Sequence, residues 1–164
     1  VVTLKFDPIL EAKRQWDARW DGGSPMAAAT SIMRAQQIIL ASVDEAVKEF
    51  GLTFARYEAL VLLSFTQNGS LPLGKMGERL MIHPASVTNI IDRLDAQGLV
   101  KRVPHPTDRR AILAEITEEG RRVVKEATDA VVEVSVGFTG LTDAETKTLI
   151  RLLAKFRKNA GDFI

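Results

Sequence analysis

Cysteine is missing from all 164 residues, which removes disulfide frameworks, thiolate metal sites and thiol redox switches from the candidate chemistry. A reducing compartment suits such a chain, and the cytoplasm is the expected location. No apolar run approaches the ~18 to 20 residues of a membrane span, and no basic flank near residue 1 leads into an apolar stretch and cleavage site, so neither insertion nor secretion is expected. Histidine occurs only twice, as His83 and His105, without a carboxylate at ligand spacing, so no metal site is expected. No nucleophile stands with a matching base, and the chain reads as a non-enzyme without a cofactor. Excess charge of one sign is also lacking. Lys and Arg number 22 against 21 Asp and Glu, a net charge of +1, so any claim of nucleic-acid binding must rest on where the cations sit.

What is present is 46% hydrophobic and 26% charged, close to the globular average, in a length that suits one domain with helical extensions. Asp7 followed by Pro8 predicts a helix start, because the carboxylate caps free amides and proline tolerates the first helical position. Ile9, Ala12, Trp16 and Trp20 recur at helical spacing until Gly22 to Pro25 break the pattern. A longer helix is expected from Met26 to Phe50, closed by Gly51 and apolar around much of its girth. It is either a central core helix or one that also faces a partner subunit. Thr53 is expected to cap a third helix, and Leu71 to Leu73 to form an edge strand or connector.

From Leu73 to Gly98 the spacing predicts a helix-turn-helix: Leu73, Met76, Gly77 and Leu80 on the first helix, Met81 to His83 as the turn, and Pro84 opening the second. Val87, Ile90, Ile91 and Leu94 face the core. Ala85, Ser86, Asn89, Asp92, Arg93 and Ala96 then face out, with Thr88 at the border. Such a small polar face suits a major groove, where Asn bonds adenine edges and Arg bonds guanine or phosphate, although any solvated helix would carry some of these residues. Two apolar runs, Leu99 to Val103 and Ala111 to Ile116, flank Pro104 to Arg110 and predict a β-hairpin with a basic tip. Lys101, Arg102, Arg109 and Arg110 stand there against Asp108. An Arg on such a tip can enter a narrow minor groove.

At these residues the sequence resembles the MarR family of bacterial regulators, whose wing motif is Asp, any residue, Arg, five residues, then Leu-Thr. Asp108, Arg110, Ile116 and Thr117 stand in those places, with Ile for Leu. The likeness includes Gly98-Leu99-Val100 and the Thr117-Glu118-Glu119-Gly120 helix start, and extends over nearly the whole chain. It implies a mainly α fold with a small β wing, a winged helix-turn-helix. Residues 53–117 would form the DNA-binding region, and residues 1–52 and 118–164 would pack together as the dimerisation region. It further implies a homodimer straddling a pseudo-palindromic operator on double-stranded DNA as a transcriptional regulator, commonly a repressor released by a small aromatic or anionic effector. Site residues by this analogy are Pro84, Ala85, Ser86, Thr88, Asn89 and Arg93 on the helix, and His105, Asp108, Arg109 and Arg110 on the wing, with Asp108 orienting Arg110. The tryptophan-bearing arm resembles a branch that includes urate-responsive repressors, which implies an effector site at Trp16, Trp20, Tyr57 and Glu58. Asn89 stands where that branch has its urate-holding arginine, which argues against urate, and plain packing of the two tryptophans competes with the pocket reading.

Independently of the resemblance, Val123, Val124, Ala127, Val131, Val134 and Phe138 predict one long helical stripe, and Thr142 with Glu145 a capping box for a last helix carrying Leu149, Leu152, Leu153 and Phe156. Two other readings compete with gene control. Gly69 to Lys75 matches most of a phosphate-binding loop, but Met76 replaces the magnesium-binding hydroxyl and Pro72 removes an amide, so nucleotide binding is disfavoured. A winged-helix protein-interaction module is the third, and it fits poorly with a surviving basic tip.

Overall fold

The computed structural model describes residues 4–108 and 111–164; the sequence-based expectations for Arg109 and Arg110 lie outside them. Among the described residues, seven α-helices and three strands follow in the order α1 (Pro8–Asp17), α2 (Gly23–Val47), α3 (Phe54–Ser64), β1 (Ser70–Pro72), α4 (Leu73–Leu80), α5 (Pro84–Ala96), β2 (Val100–Pro104), β3 (Ile112–Ile116), α6 (Glu118–Glu133) and α7 (Asp143–Asn159). Among the described residues no helix is long and apolar enough to cross a membrane.

Asp7 starts α1 as expected, its Oδ1 accepting from the amides of Ile9 at 2.8 Å and Leu10 at 3.3 Å. Trp16 Nε1 donates to the Asp21 carbonyl at 2.7 Å, pinning the corner at which α1 turns back along α2. Glycine lets the exposed Asp17 carboxylate lie against the chain there, since a Cβ on Gly23 would lie 1.9 Å from Asp17 Oδ1 and make that side chain swing aside. α2 ends at Val47 in a single 3-10 turn, Lys48–Phe50, and Gly51 at φ 67° closes it. Thr53 occupies the N-cap of α3, yet its side chain does not cap the helix. Asp44 of α2 does so instead, Oδ1 accepting from the Phe54 amide at 2.6 Å, because α2 and α3 are packed so closely that a carboxylate ten residues back reaches the free N–H.

The core lies within the winged helix and beneath α2 and α6. Val43 and Val47 of α2, Leu60 and Leu63 of α3, Met76 of α4, Val87, Ile91 and Leu94 of α5, Ala114 and Ile116 of β3, and Val123, Val124, Ala127 and Val131 of α6 form one buried cluster. The sheet is antiparallel in the order β1-β3-β2, with Leu71 and Arg102 both opposite Ala114. β1 is therefore an edge strand, as its proline demands.

Thr117 joins the wing to α6. Its hydroxyl donates to the Gly98 carbonyl at 2.8 Å and accepts from the Gly120 amide at 3.0 Å. Gly120 permits this approach, since a Cβ there would lie 2.1 Å from the Leu99 carbonyl oxygen. The stripe expected to run unbroken to Phe138 stops short. α6 ends at Glu133, and a 3-10 turn, Ser135–Gly137, with Val136 at φ 54°, redirects the chain against α2. The Thr142–Glu145 capping box opens α7 as expected, but none of the residues of α7 is buried.

Candidate nucleic-acid interface

The turn between α4 and α5 has Met81 in the left-handed region at φ 56°, and the Ile82 amide returns to the Gly77 carbonyl at 3.1 Å. His83 then serves as the N-cap of α5: its Nδ1 accepts from the Ala85 amide at 3.2 Å, and Pro84 sits in the first turn. The sequence places His83 in the turn and assigns it no capping role. Histidine is not a usual cap, so composition offers no signal for the role.

On α5, Val87, Ile91 and Leu94 are buried and Ile90 is half-buried, which turns Pro84, Ala85, Ser86, Thr88, Asn89, Asp92 and Arg93 outward. Thr88 Oγ1 donates to the Pro84 carbonyl at 3.3 Å, so the hydroxyl's acceptor capacity stays on the exposed side. Asp92 does more than face out. Its carboxylate pairs with Arg102 of β2 and bolts the helix to the wing. Arg102, counted in the sequence as part of the wing's basic charge, is thereby largely neutralised by Asp92.

The wing tip is organised by His105. Its Nδ1 accepts from the amides of Thr107 at 3.3 Å and Asp108 at 3.1 Å, its own amide donates to the Ala111 carbonyl, and the Ala111 amide donates to the Asp108 carbonyl. The imidazole is committed to the turn through Nδ1, which leaves Nε2 as its other polar atom. Asp108 is exposed on this tip. α5, β2 and β3 thus bring the predicted helix residues, His105 and Asp108 onto one structural unit.

The phosphate-loop reading fails on geometry. Gly69 to Lys75 runs through a three-residue antiparallel edge strand directly into α4, so no loop of converging amides exists, and Lys75 pairs with Glu78 at 2.8 Å. Among the described residues no group of three or more His, Asp and Glu is placed to hold a metal ion.

The residues expected to form an effector site are divided. Trp16 and Trp20 pack edge to face, with ring centroids 5.1 Å apart, at the α1–α2 corner. Tyr57 instead lines a cleft of about 520 Å³ between α3 and α6, with Val61, Phe65, Arg121, Lys125 and Thr128, and its hydroxyl meets Thr128 Oγ1 at 3.1 Å. Glu58 is half-buried outside the walls of that cleft, and burial raises its carboxyl above the usual value.

A sequence model of the MarR family matches residues 52–112, which span α3 through the start of β3. The crystal structure of Sco5413, a MarR family transcriptional regulator from Streptomyces coelicolor, is similar with 51% identity and a TM-score of 0.80, covering 87% of this chain and 99% of that one. The HTH-type transcriptional regulator YhbI of Bacillus subtilis is 32% identical over 76% of this chain and 77% of its own length. Bordetella bronchiseptica BpsR, whose DNA binding is regulated by 6-hydroxynicotinic acid, has 29% identity and a TM-score of 0.71 over 78% of this chain and 91% of its own.

Proposed function

Because this chain belongs to the MarR family of DNA-binding transcriptional regulators, we propose that it works as a homodimer in which each subunit lays α5 in a major groove of a pseudo-palindromic operator and its wing in the adjacent minor groove. The observation that carries this reading is the outward face of α5, small and polar from Ala85 to Arg93, fastened to the wing through Asp92 and Arg102. Asn89 and Arg93 are the base and phosphate contacts on the helix. Arg110 is the minor-groove residue, and His105, Asp108 and Arg109 act beside it.

The domain division follows: residues 53–117 read DNA, and residues 1–52 with 118–164 join the two subunits. Exposed apolar side chains on the joining helices support it. Met33 on α2 and Phe156 on α7 are 64% and 66% exposed, and Ile32, Ile38, Ile150 and Leu152 accompany them. So much apolar surface on a single chain calls for cover by a second copy.

The regulator acts in the cytoplasm as a repressor, not an enzyme, released by a small aromatic anion. Support for the effector comes from BpsR and from the Tyr57 cleft, where Arg121 and Lys125 supply positive charge beside an aromatic ring. Binding is tested with a duplex selected from a random-sequence pool by the full-length protein. Arg110→Ala should weaken that complex at least tenfold with no loss of thermal stability. Unchanged affinity would remove the wing from the interface, and failure to select any duplex would favour a protein-interaction role.

A further inference from the structure

We propose that Arg56, in the first turn of α3, is a backbone-phosphate contact of the DNA interface, gripping the wall of the major groove opposite the wing. The inference rests on the reading of α5 as the recognition helix. At about 100° per residue, the buried line of Val87, Ile91 and Leu94 leaves an exposed arc with two different flanks. Thr88 and Asp92 lie on the flank toward the wing, where Asp92 is tied to Arg102. Asn89, Ile90 and Arg93 lie on the other, and they form one wall of a cleft of about 430 Å³ whose second wall is Thr53, Ala55 and Arg56 of the α3 start.

A helix seated in a major groove about 12 Å wide has a phosphodiester strand along each side. Each flank of α5 therefore needs a partner for phosphate, and the wing provides one on its side. On the opposite side the fold presents Arg56. Its Nε donates to Thr53 Oγ1 at 3.4 Å, which holds the side chain over the helix start and leaves the Nη donors for an oxyanion. Neither Arg56 nor Arg93 makes an ion pair with any of the described residues, so two guanidinium groups share the cleft without a counter-charge. A phosphate between them supplies the counter-charge, and because it touches no base edge it adds affinity without sequence preference.

The experiment compares wild type, Arg56→Gln, Arg56→Lys and Asn89→Ala on two probes, the selected duplex and a scrambled duplex of the same length and composition, over about 50 to 200 mM salt. Arg56→Gln is expected to flatten the dependence of log affinity on log salt by about 0.9 per bound subunit. It should weaken both duplexes by a similar factor, roughly tenfold. Arg56→Lys should keep the salt slope, and Asn89→Ala should weaken the selected duplex alone. An unchanged slope for Arg56→Gln, with discrimination lost in Asn89→Ala, would overturn the phosphate assignment and leave the recognition helix standing. A change in discrimination in place of slope for Arg56→Gln would overturn it too. Unaltered binding in both Asn89→Ala and Arg56→Gln would bring down the proposal together with the helix reading beneath it.

Discussion

Glu58 is a residue whose chemistry the fold disturbs without an ion pair. It is half-buried on α3, and burial alone raises its carboxyl. A carboxyl raised by folding holds its proton more tightly in the native state. Its favourable contribution is therefore complete below the ordinary carboxylate value near 4.5 and is lost as pH climbs through the raised one. Glu58→Gln, which cannot ionise, is expected to melt above the parent at pH 7, with the difference closing near pH 4; a variant that melts lower at pH 7 would show the carboxylate to be stabilising. The sequence offered Glu58 as an effector contact only by analogy, and its burial was invisible because Tyr57 and Glu58 lie between the two flanks of a helix that is apolar on most sides. The outward residues of α5 were legible for the opposite reason. Val87, Ile91 and Leu94 form an unambiguous buried line, and every remaining position is assigned by the helical period.

Between elements, the tie from Asp92 to Arg102 matters more for geometry than for stability. An ion pair this exposed contributes on the order of 0.2 to 1 kcal/mol. It nonetheless cross-links the helix to the wing above their shared core, and DNA contacts made by both depend on how the two are placed. Asp92→Ala is expected to weaken binding of the selected duplex about tenfold while shifting the melting temperature by no more than about 4 °C. The exchange Asp92→Arg with Arg102→Asp should recover most of the loss, and equal binding by the parent and Asp92→Ala would strip the tie of its role. Periodicity fixes the faces of α5 and the run of β2 but does not reveal this link, since Asp92 sits on a helix and Arg102 on a strand beyond Gly98. Asp44 capping α3 in place of Thr53 escaped for the same reason. Local rules see the residue at the helix start, whereas α2 delivers its carboxylate through packing. The break of α6 at Glu133 was likewise hidden, because Val134, Val136 and Phe138 continue an apolar pattern through a turn that docks on α2.

At the scale of the molecule, α7 is the element that the single chain does not explain. Its capping box and good helix formers make it helical, yet it buries no residue and leaves Ile150, Leu152 and Phe156 in the open. The proposed homodimer accounts for it. Ile150→Lys combined with Phe156→Lys is expected to shift the sedimenting species from dimer toward monomer and to abolish binding of a two-half-site duplex, while the winged helix keeps its fold. A variant that sediments as the parent does would move the joining surface elsewhere.

Two α5 helices and two wings are proposed to meet one duplex from the same side, and hydroxyl-radical footprinting of the wild-type protein on its selected duplex tests this most directly. Two protected segments related by a dyad are expected, their centres one helical turn apart, about 10 to 10.5 base pairs, with protection reaching the flanking minor grooves. A single unsymmetrical segment, or symmetric protection with the flanking minor grooves left open, would contradict it.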